Sequence, residues 1–195
     1  MQAQREVQFE SDGCALLEHP MAWRSGIFVC ELKILASTEI QGSYVGLYFM
    51  DEPTEPTQRS PSPLLSGYPG CNGASWGWAG TGAHRGAALG PGAERLPTWR
   101  TGDTVSLTLD THEMALSLSV CRPNGERFRA PGPLLLGTKL KRGGAVHFAV
   151  GRYHGRYKVR VLSLRRQNSA DARVELELRD EPGGARAHGC WALPG

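Results

Sequence analysis

Apolar residues occupy every second position in several short stretches of this chain. In residues 26–35, Phe28, Cys30, Leu32 and Ile34 fall on one side, and charged residues fall on the other. The same period of two continues in residues 44–50, 145–150, 157–161 and 173–179. A period of two is typical of a β-strand with one buried face. The pattern therefore predicts several half-buried strands.

The clearest alternation lies in residues 103–120. Its apolar positions are Val105, Leu107, Leu109, Leu116, Leu118 and Val120. Pairing Leu107 with Leu118 brings all six to one face and leaves a tight turn at His112 and Glu113. We therefore predict a β-hairpin with one dry face.

Helical patterns are nearly absent. No window carries an apolar stripe at positions i, i+3, i+4 and i+7 for three turns. Short strands that are separated by glycine and proline, without helices, indicate a sandwich or barrel. Because parallel strands need crossover connections, the strands should be antiparallel. We predict an all-β fold, a two-layer antiparallel β-sandwich with little helix.

Three stretches interrupt the alternation, and the last of them marks a predicted boundary. Residues 51–69 are proline-rich, residues 80–97 are glycine-rich, and residues 165–172 are polar. Such compositions favour loops. We predict a sandwich over residues 1–165 and a C-terminal extension over residues 166–195, with one further strand at about 173–179 and a flexible tail.

Composition and charge exclude several classes of protein. Hydrophobic residues make up 40% of the 195 residues, which is enough for a core. The net charge of +3 and the small number of basic stretches argue against a nucleic-acid-binding protein. No run approaches the ~20 apolar residues of a membrane span. The polar N-terminus shows no secretory signal, so we expect an intracellular, cytoplasmic protein that does not bind membranes.

The cysteines agree with a reducing compartment. There are five, an odd number, and no Cys-x-x-Cys occurs. We therefore expect no structural disulfide. Cys30 lies on the apolar side of its strand, where it should fill the core as a small hydrophobic residue.

The order of several short motifs resembles the SPRY domain family. Members carry an early Gly-x-Tyr-Tyr-Trp-Glu-Val strand, which residues 26–32 (GIFVCEL) resemble, with Cys30 at the tryptophan place. A Gly-Asp-x-x-x-x-x-x-Asp pattern matches residues 102–110, and a hairpin and Asn124-Gly125 follow it. Further similar pieces are residues 44–47, 75–82, 130–134, 146–151 and 157–161.

The SPRY resemblance covers the chain from about Val7 to Leu164. It implies a concanavalin-like sandwich that binds another protein through loops at one rim. Two residues depart from the family pattern, namely Cys30 and Ser106, which stands where many members carry glycine. The resemblance implies an adaptor, a scaffold or a subunit of a larger assembly, with a partner whose identity the sequence does not give.

Some of these motifs also have direct structural explanations. Gly102 suits a turn with positive φ. The carboxylate of Asp103 can accept hydrogen bonds from backbone N–H groups two residues on. Asn124-Gly125 is a strong signal for a tight turn. We therefore assign these residues structural roles.

Catalytic and metal-binding patterns are missing. The chain has no Gly-x-Ser-x-Gly elbow, no phosphate-binding Gly-x-x-x-x-Gly-Lys-Ser/Thr loop and no two tight Cys/His pairs for zinc. We predict no catalytic residue, no metal and no cofactor. Two alternatives share the architecture: a carbohydrate-binding, lectin-like domain and, more weakly supported, a hydrolase.

Candidate contact residues follow from chemistry, because binding anchors are enriched in tryptophan, tyrosine and arginine. Three loop segments supply them. The candidates are Tyr68 in the proline-rich segment, Trp76, Trp78 and Arg85 in and before the glycine-rich one, and Tyr153, His154 and Arg156 between the closing strands. Trp76 and Trp78 are two residues apart and would share one face of a strand, so a core position is the competing interpretation.

Overall fold

The computed structural model of the chain describes residues 5–9, 12–17, 20–50, 64–65, 68–71, 75–86, 96–130, 133–136 and 144–167. These residues form strands and one short 3-10 helix at Ile40–Gly42. In chain order the strands are β1 (Arg5–Phe9), β2 (Gly13–Leu16), β3 (Met21–Ala22), β4 (Ile27–Ser37), β5 (Ser43–Met50), β6 (Leu64–Leu65), β7 (Ser75–Ala79), β8 (His84–Gly86), β9 (Thr104–Asp110), β10 (Ala115–Cys121), β11 (Arg127–Arg129), β12 (Leu134–Leu135), β13 (Ala145–Arg152) and β14 (Tyr157–Gln167).

The strands form two sheets that face each other. The first sheet has the order β1-β14-β4-β9-β10-β11, and β12 also pairs with β10. The second has the order β6-β2-β13-β5-β7-β8, and β3 also pairs with β13. Every strand pair in the described residues is antiparallel. The predicted two-layer antiparallel sandwich is confirmed.

The predicted hairpin is present in the predicted register. Leu107 lies opposite Leu118, and β9 and β10 alternate strictly between buried and half-buried residues. In the turn, one carboxylate oxygen of Asp110 accepts hydrogen bonds from the backbone N–H groups of His112 (2.8 Å) and Glu113 (3.2 Å). A local side-chain bond of this kind closes the turn.

The core lies between the sheets and contains the apolar side of nearly every strand. Cys30 is fully buried there, as predicted. The largest fully buried side chains are Trp76, Trp78, Trp99, Tyr157 and Phe148. Aromatic residues bury a large area each, so these five account for much of the hydrophobic stabilisation.

Three predicted loops contain strand residues. The polar stretch 165–172 begins inside β14, whose Arg165 and Arg166 pair with Val29 and Phe28 of β4. Likewise β8 lies within the glycine-rich stretch, and β6 within the proline-rich one. In each case a neighbouring strand supplies backbone hydrogen bonds that composition does not reveal. The further strand predicted at 173–179 and the tail lie outside the described residues.

A buried ion pair joins the residue that precedes β9 to the residue that follows β10. Asp103 is fully buried, and its Oδ2 accepts hydrogen bonds from the guanidinium of Arg122 and from the backbone N–H of Arg100 (2.8 Å). The carboxylate thus bonds three residues back, not two residues on as expected. Gly102 (φ 91°) turns the chain before it, and Gly125 (φ 86°) turns it after Arg122, as predicted.

We predict that thiol labelling separates the described cysteines by burial. Cys71 is exposed, whereas Cys14 and Cys30 are buried. Burial raises the pKa of the Cys14 thiol to about 12 and raises that of Cys30 still further, so neither forms the reactive thiolate at neutral pH. Ellman's reagent with peptide mapping should modify Cys71 rapidly and Cys30 only after denaturation. Rapid native labelling of Cys30 would contradict its core position.

We also predict that Asp103→Ala lowers the free energy of unfolding by about 3 kcal/mol, the low end of the range for breaking a buried ion pair. The low end applies because the Arg122 side chain is 14% exposed and keeps its hydrogen bonds to Thr98. Urea unfolding measures the change. As a control, Glu6→Ala removes exposed ion pairs to Lys158 and Arg160 and should have little effect.

Candidate functional site

One tyrosine at an end of the second sheet is buried on the outer face. Tyr44 is the second residue of β5 and precedes Val45, which faces the core, so the Tyr44 side chain points the opposite way. Its strand partner on β13 is Gly151, and its partner on β7 is Ala79. Tyr44 is nevertheless only 2% exposed. Another part of the chain must therefore cover it.

The cover is the segment Tyr68–Cys71, which crosses the outer face of the sheet. Two strand glycines make room for it. A Cβ atom at Gly77 would lie 1.9 Å from the carbonyl oxygen of Pro69, and one at Gly151 would lie 2.3 Å from Cδ of Pro69. Glycine in a strand often marks such a close backbone approach. The two glycines thus let the segment lie directly on the sheet.

The ring of Tyr68 joins the covered tyrosine to the exposed rim. It stacks on Tyr44 with ring centroids 4.5 Å apart, and it meets Tyr153 at 5.1 Å in a tilted arrangement. Tyr153 in turn contacts His154 at 3.9 Å. Both separations between tyrosines lie in the range of favourable aromatic pairs. Tyr153 keeps 43% of its surface exposed, so the outer end of this stack is open to a partner.

Arg85 completes the arrangement from β8. It lies opposite Gly77 and therefore on the same outer face as Tyr44. Its Nη1 donates a hydrogen bond of 2.9 Å to the Tyr68 hydroxyl, which raises the pKa of the guanidinium above its ordinary value. Desolvation raises the pKa of Tyr44. Tyr44 therefore stays neutral at physiological pH, and Arg85 stays cationic and exposed.

Hydrogen bonds hold the turn that carries Tyr153. Its backbone N–H donates to the carbonyl of Gly42 (2.7 Å). At the other end, the N–H of Arg156 donates to the Thr38 hydroxyl (2.7 Å), and the N–H of Thr38 donates to the carbonyl of Arg156 (3.1 Å). The turn is therefore held at both ends before any partner arrives.

Four of the predicted contact residues come together here, although they lie on three separate segments of the chain. We call Tyr44, Tyr68, Arg85, Tyr153 and His154 the rim cluster. The sequence indicated all of them except Tyr44. The alternation in β5 could have placed Tyr44 on the outer face. It could not have shown that Tyr44 is buried there, because the covering segment Tyr68–Cys71 lies elsewhere in the chain.

Arg156 is exposed in the same turn, next to the rim cluster. Its backbone holds the turn, and its side chain is open to solvent. It remains a candidate contact residue at the margin of this surface.

Trp76 and Trp78 do not belong to the surface, which corrects the prediction that included them. Both are fully buried, opposite Leu47 and Val45 on the core face of the second sheet. The indole N–H of Trp78 donates to the carbonyl of Pro97 (3.0 Å). The period of two places both rings on one face, and that face is the core.

Neither a metal site nor a membrane-spanning helix is present among the residues that the structure describes. No group of three or more histidine, cysteine, aspartate or glutamate side chains converges there as a metal site would require. No helix in the same residues is long and apolar enough to cross a bilayer.

Among the solved structures that resemble this chain are a SPRY domain and a lectin. The SPRY domain of human HERC1 superposes with a TM-score of 0.54 at 15% identity, over 83% of this chain and 89% of that domain. The chain has the SPRY fold. A structure of peanut lectin with a 9mer peptide superposes more loosely, with a TM-score of 0.41 at 10% identity, over 84% of this chain and 99% of the lectin. No family model and no curated protein matches the chain.

In this example of the SPRY fold, the sheet surface under the rim cluster depends on glycine. We predict that Gly77→Ala lowers the free energy of unfolding by about 1–3 kcal/mol, because the added methyl group collides with the Pro69 carbonyl. The collision should also separate Tyr68 from Tyr44 and weaken the near-UV circular dichroism of the tyrosines.

A suitable control is Gly125→Ala. A Cβ atom at Gly125 meets nothing within 4 Å, but the residue has a positive φ of 86°. The substitution should cost about 1–2 kcal/mol through backbone strain alone. Its near-UV spectrum should match that of the unmodified protein. An unchanged spectrum in Gly77→Ala would show that the glycine does not position Tyr68.

Proposed function

We propose that this chain is a non-catalytic protein-recognition module, and that its partner docks on the rim cluster. The observation that supports this proposal best is the exposed end of the tyrosine stack: Tyr153, next to His154, packs on Tyr68, whose hydroxyl is bonded to the cationic Arg85. Tyrosine and arginine are the residue types that most often anchor protein interfaces. Protein recognition is also the function that the SPRY resemblance implies.

The rigidity of the rim favours binding. Tyr68 is held by Tyr44, Tyr153 and Arg85, so it loses little conformational freedom when a partner covers it. An interface that is already ordered avoids part of the entropic cost of association. The rim therefore suits a partner that docks without large rearrangement.

The charges around the rim cluster favour an acidic partner surface. Two basic residues, Arg85 and Arg156, are exposed there. One exposed acidic residue, Glu39, also lies near this surface, next to Gly155. Complementary charges accelerate association and make it sensitive to salt. We infer that the affinity falls as ionic strength rises.

We further propose that the module works inside the cell as an adaptor, a scaffold or a subunit of a larger assembly. Because the rim cluster occupies one end of the second sheet, most of the remaining surface stays available for further contacts. One domain could then hold two partners together.

The test starts from affinity purification with mass spectrometry and uses the variants to identify the surface. The unmodified chain should retain one stoichiometric protein. Against that purified partner, Tyr153→Ala and Arg85→Ala should each weaken binding by about 1–3 kcal/mol, which is roughly 5–150-fold in Kd by calorimetry. Because 43% of the Tyr153 surface is exposed, its substitution should leave the melting temperature nearly unchanged.

The matched control is Phe128→Ala, which removes an exposed aromatic side chain from β11 of the other sheet. It should bind with unchanged affinity. Equal binding by Tyr153→Ala, Arg85→Ala and the unmodified chain would remove the rim cluster from consideration. Saturable binding on a glycan array, without a protein partner, would favour the lectin-like alternative.

A further inference from the structure

A cavity of about 360 Å³ lies where β3 faces the first residues of β4 and the last residues of β14. Its apolar walls come from both sheets: Pro20 and Ala22 lie on one side, and Phe28 and Leu164 lie on the other. Phe28 and Leu164 are half-buried and pack against the core. The cavity therefore opens the apolar interior to solvent, and such a surface suits a ligand with an apolar body.

A bulge in β14 decides which side chains face this cavity. Leu162 has no partner on β4, so the alternation of the strand reverses there. Before the bulge the odd-numbered residues of β14 face the core. After it, Leu164 lies opposite the buried Cys30, and Arg166 falls on the same inner side. Arg165 also borders the cavity, but its side chain falls on the opposite face of the strand.

The guanidinium of Arg166 is positioned at this cavity without a counter-charge. A Cβ atom at Gly26 would lie 2.8 Å from its Nε, so the group lies against the backbone of that glycine, which hydrogen bonds to Thr111 hold in place. Among the residues that the structure describes, no acidic side chain pairs with Arg166. The hydroxyl of Ser25, which also lines the cavity, already donates to the carbonyl of Ala22. Arg166 is therefore the side chain best placed here to bind an anion.

We propose that this cavity binds a small organic carboxylate with an apolar body, of the class of the medium-chain fatty acids. The carboxylate accepts hydrogen bonds from the guanidinium of Arg166, in the bidentate geometry that the two groups favour. The apolar body packs on Phe28 and Leu164. One guanidinium balances one negative charge, which favours a carboxylate over a phosphate monoester with its charge of about −1.5 to −2.

The size of the cavity favours a small molecule over a protein. Its volume of about 360 Å³ lies near the lower end of the roughly 300–1,000 Å³ of small-molecule sites. A stable protein partner covers about 800 Å² on each side. The few residues that line this cavity do not offer such an area.

The cavity is also remote from the rim cluster. Tyr157 follows the rim turn directly, and Leu164 lies seven residues further along β14, which is about 20 Å at the rise of a strand. This inference is therefore independent of the proposed partner binding.

A methyl NMR titration of the full chain with decanoate tests the inference. We expect saturable shifts at the methyl groups of Ala22 and Leu164, with a Kd on the order of 0.1–1 mM for a ligand of about twelve non-hydrogen atoms. The exposed Leu135 on β12, which pairs with β10 of the first sheet, is the remote control and should not shift.

Two further ligands separate the apolar and the charged parts of the recognition. Butyrate should bind at least about tenfold more weakly than decanoate, because it buries fewer methylene groups. Decylammonium has the same chain length and the opposite charge, and it should not bind measurably beside Arg166.

A matched pair of variants tests the arginine. Arg166→Gln removes the cation from the inner side and should weaken decanoate binding at least about fivefold. Arg165→Gln removes the same charge from the opposite face of the strand and should change the Kd by less than about twofold at physiological ionic strength. Both arginines are exposed, so both variants should keep the fold, which circular dichroism checks.

Three results would overturn the inference. The first is equal binding of decylammonium and decanoate, which would show that the cavity does not recognise the anion. The second is equal weakening by Arg165→Gln and Arg166→Gln, which would show a general effect of charge. The third is the absence of saturable shifts at Ala22 and Leu164 in a folded protein.

Discussion

The packing of the two sheets through their aromatic side chains is the constraint on which the rest of this structure depends. Trp76 and Trp78 enter from the second sheet, and Tyr157 enters from the first. Trp99 lies 6.0 Å from Tyr157, ring to ring. Interiors are close-packed, so these large side chains set the separation and orientation of the sheets. The loops at the ends of the strands take their positions from this arrangement.

The rim cluster follows from the same core. Tyr157 is fully buried and comes directly after the turn that presents Tyr153, so the core anchors that turn from below. Trp76 and Trp78 anchor β7 to the core in the same way. Because both of their rings enter the core, Gly77 between them lies on the outer face of the sheet. The outward glycine then admits Pro69 and brings Tyr68 onto Tyr44. The buried tryptophans thus position the surface without belonging to it.

Buried polar groups secure the opposite sheet. Asp103 bonds Arg122 and the backbone of Arg100, and so joins the entry of β9 to the exit of β10. Thr111 joins the exit of β9 to the start of β4, because its hydroxyl donates to the carbonyl of Gly26 at 2.7 Å. A shifted arrangement of the strands would break these buried hydrogen bonds, so they favour the arrangement observed. The register of the hairpin is the one that alternation predicted.

The sequence by itself determined the class of fold, the β9–β10 register and the core position of Cys30, and its residue types drew attention to Tyr68, Arg85, Tyr153 and His154. These features depend on a period of two and on turn chemistry, which are local properties. Only the tertiary structure decided that Trp76 and Trp78 are core and that Tyr44 belongs to the rim. It also decided that the carboxylate of Asp103 bonds backward to Arg100, and that Arg165 and Arg166 continue a strand. Each of these depends on contact between segments that are far apart in the chain, and a pattern along one segment does not specify which face another segment will cover.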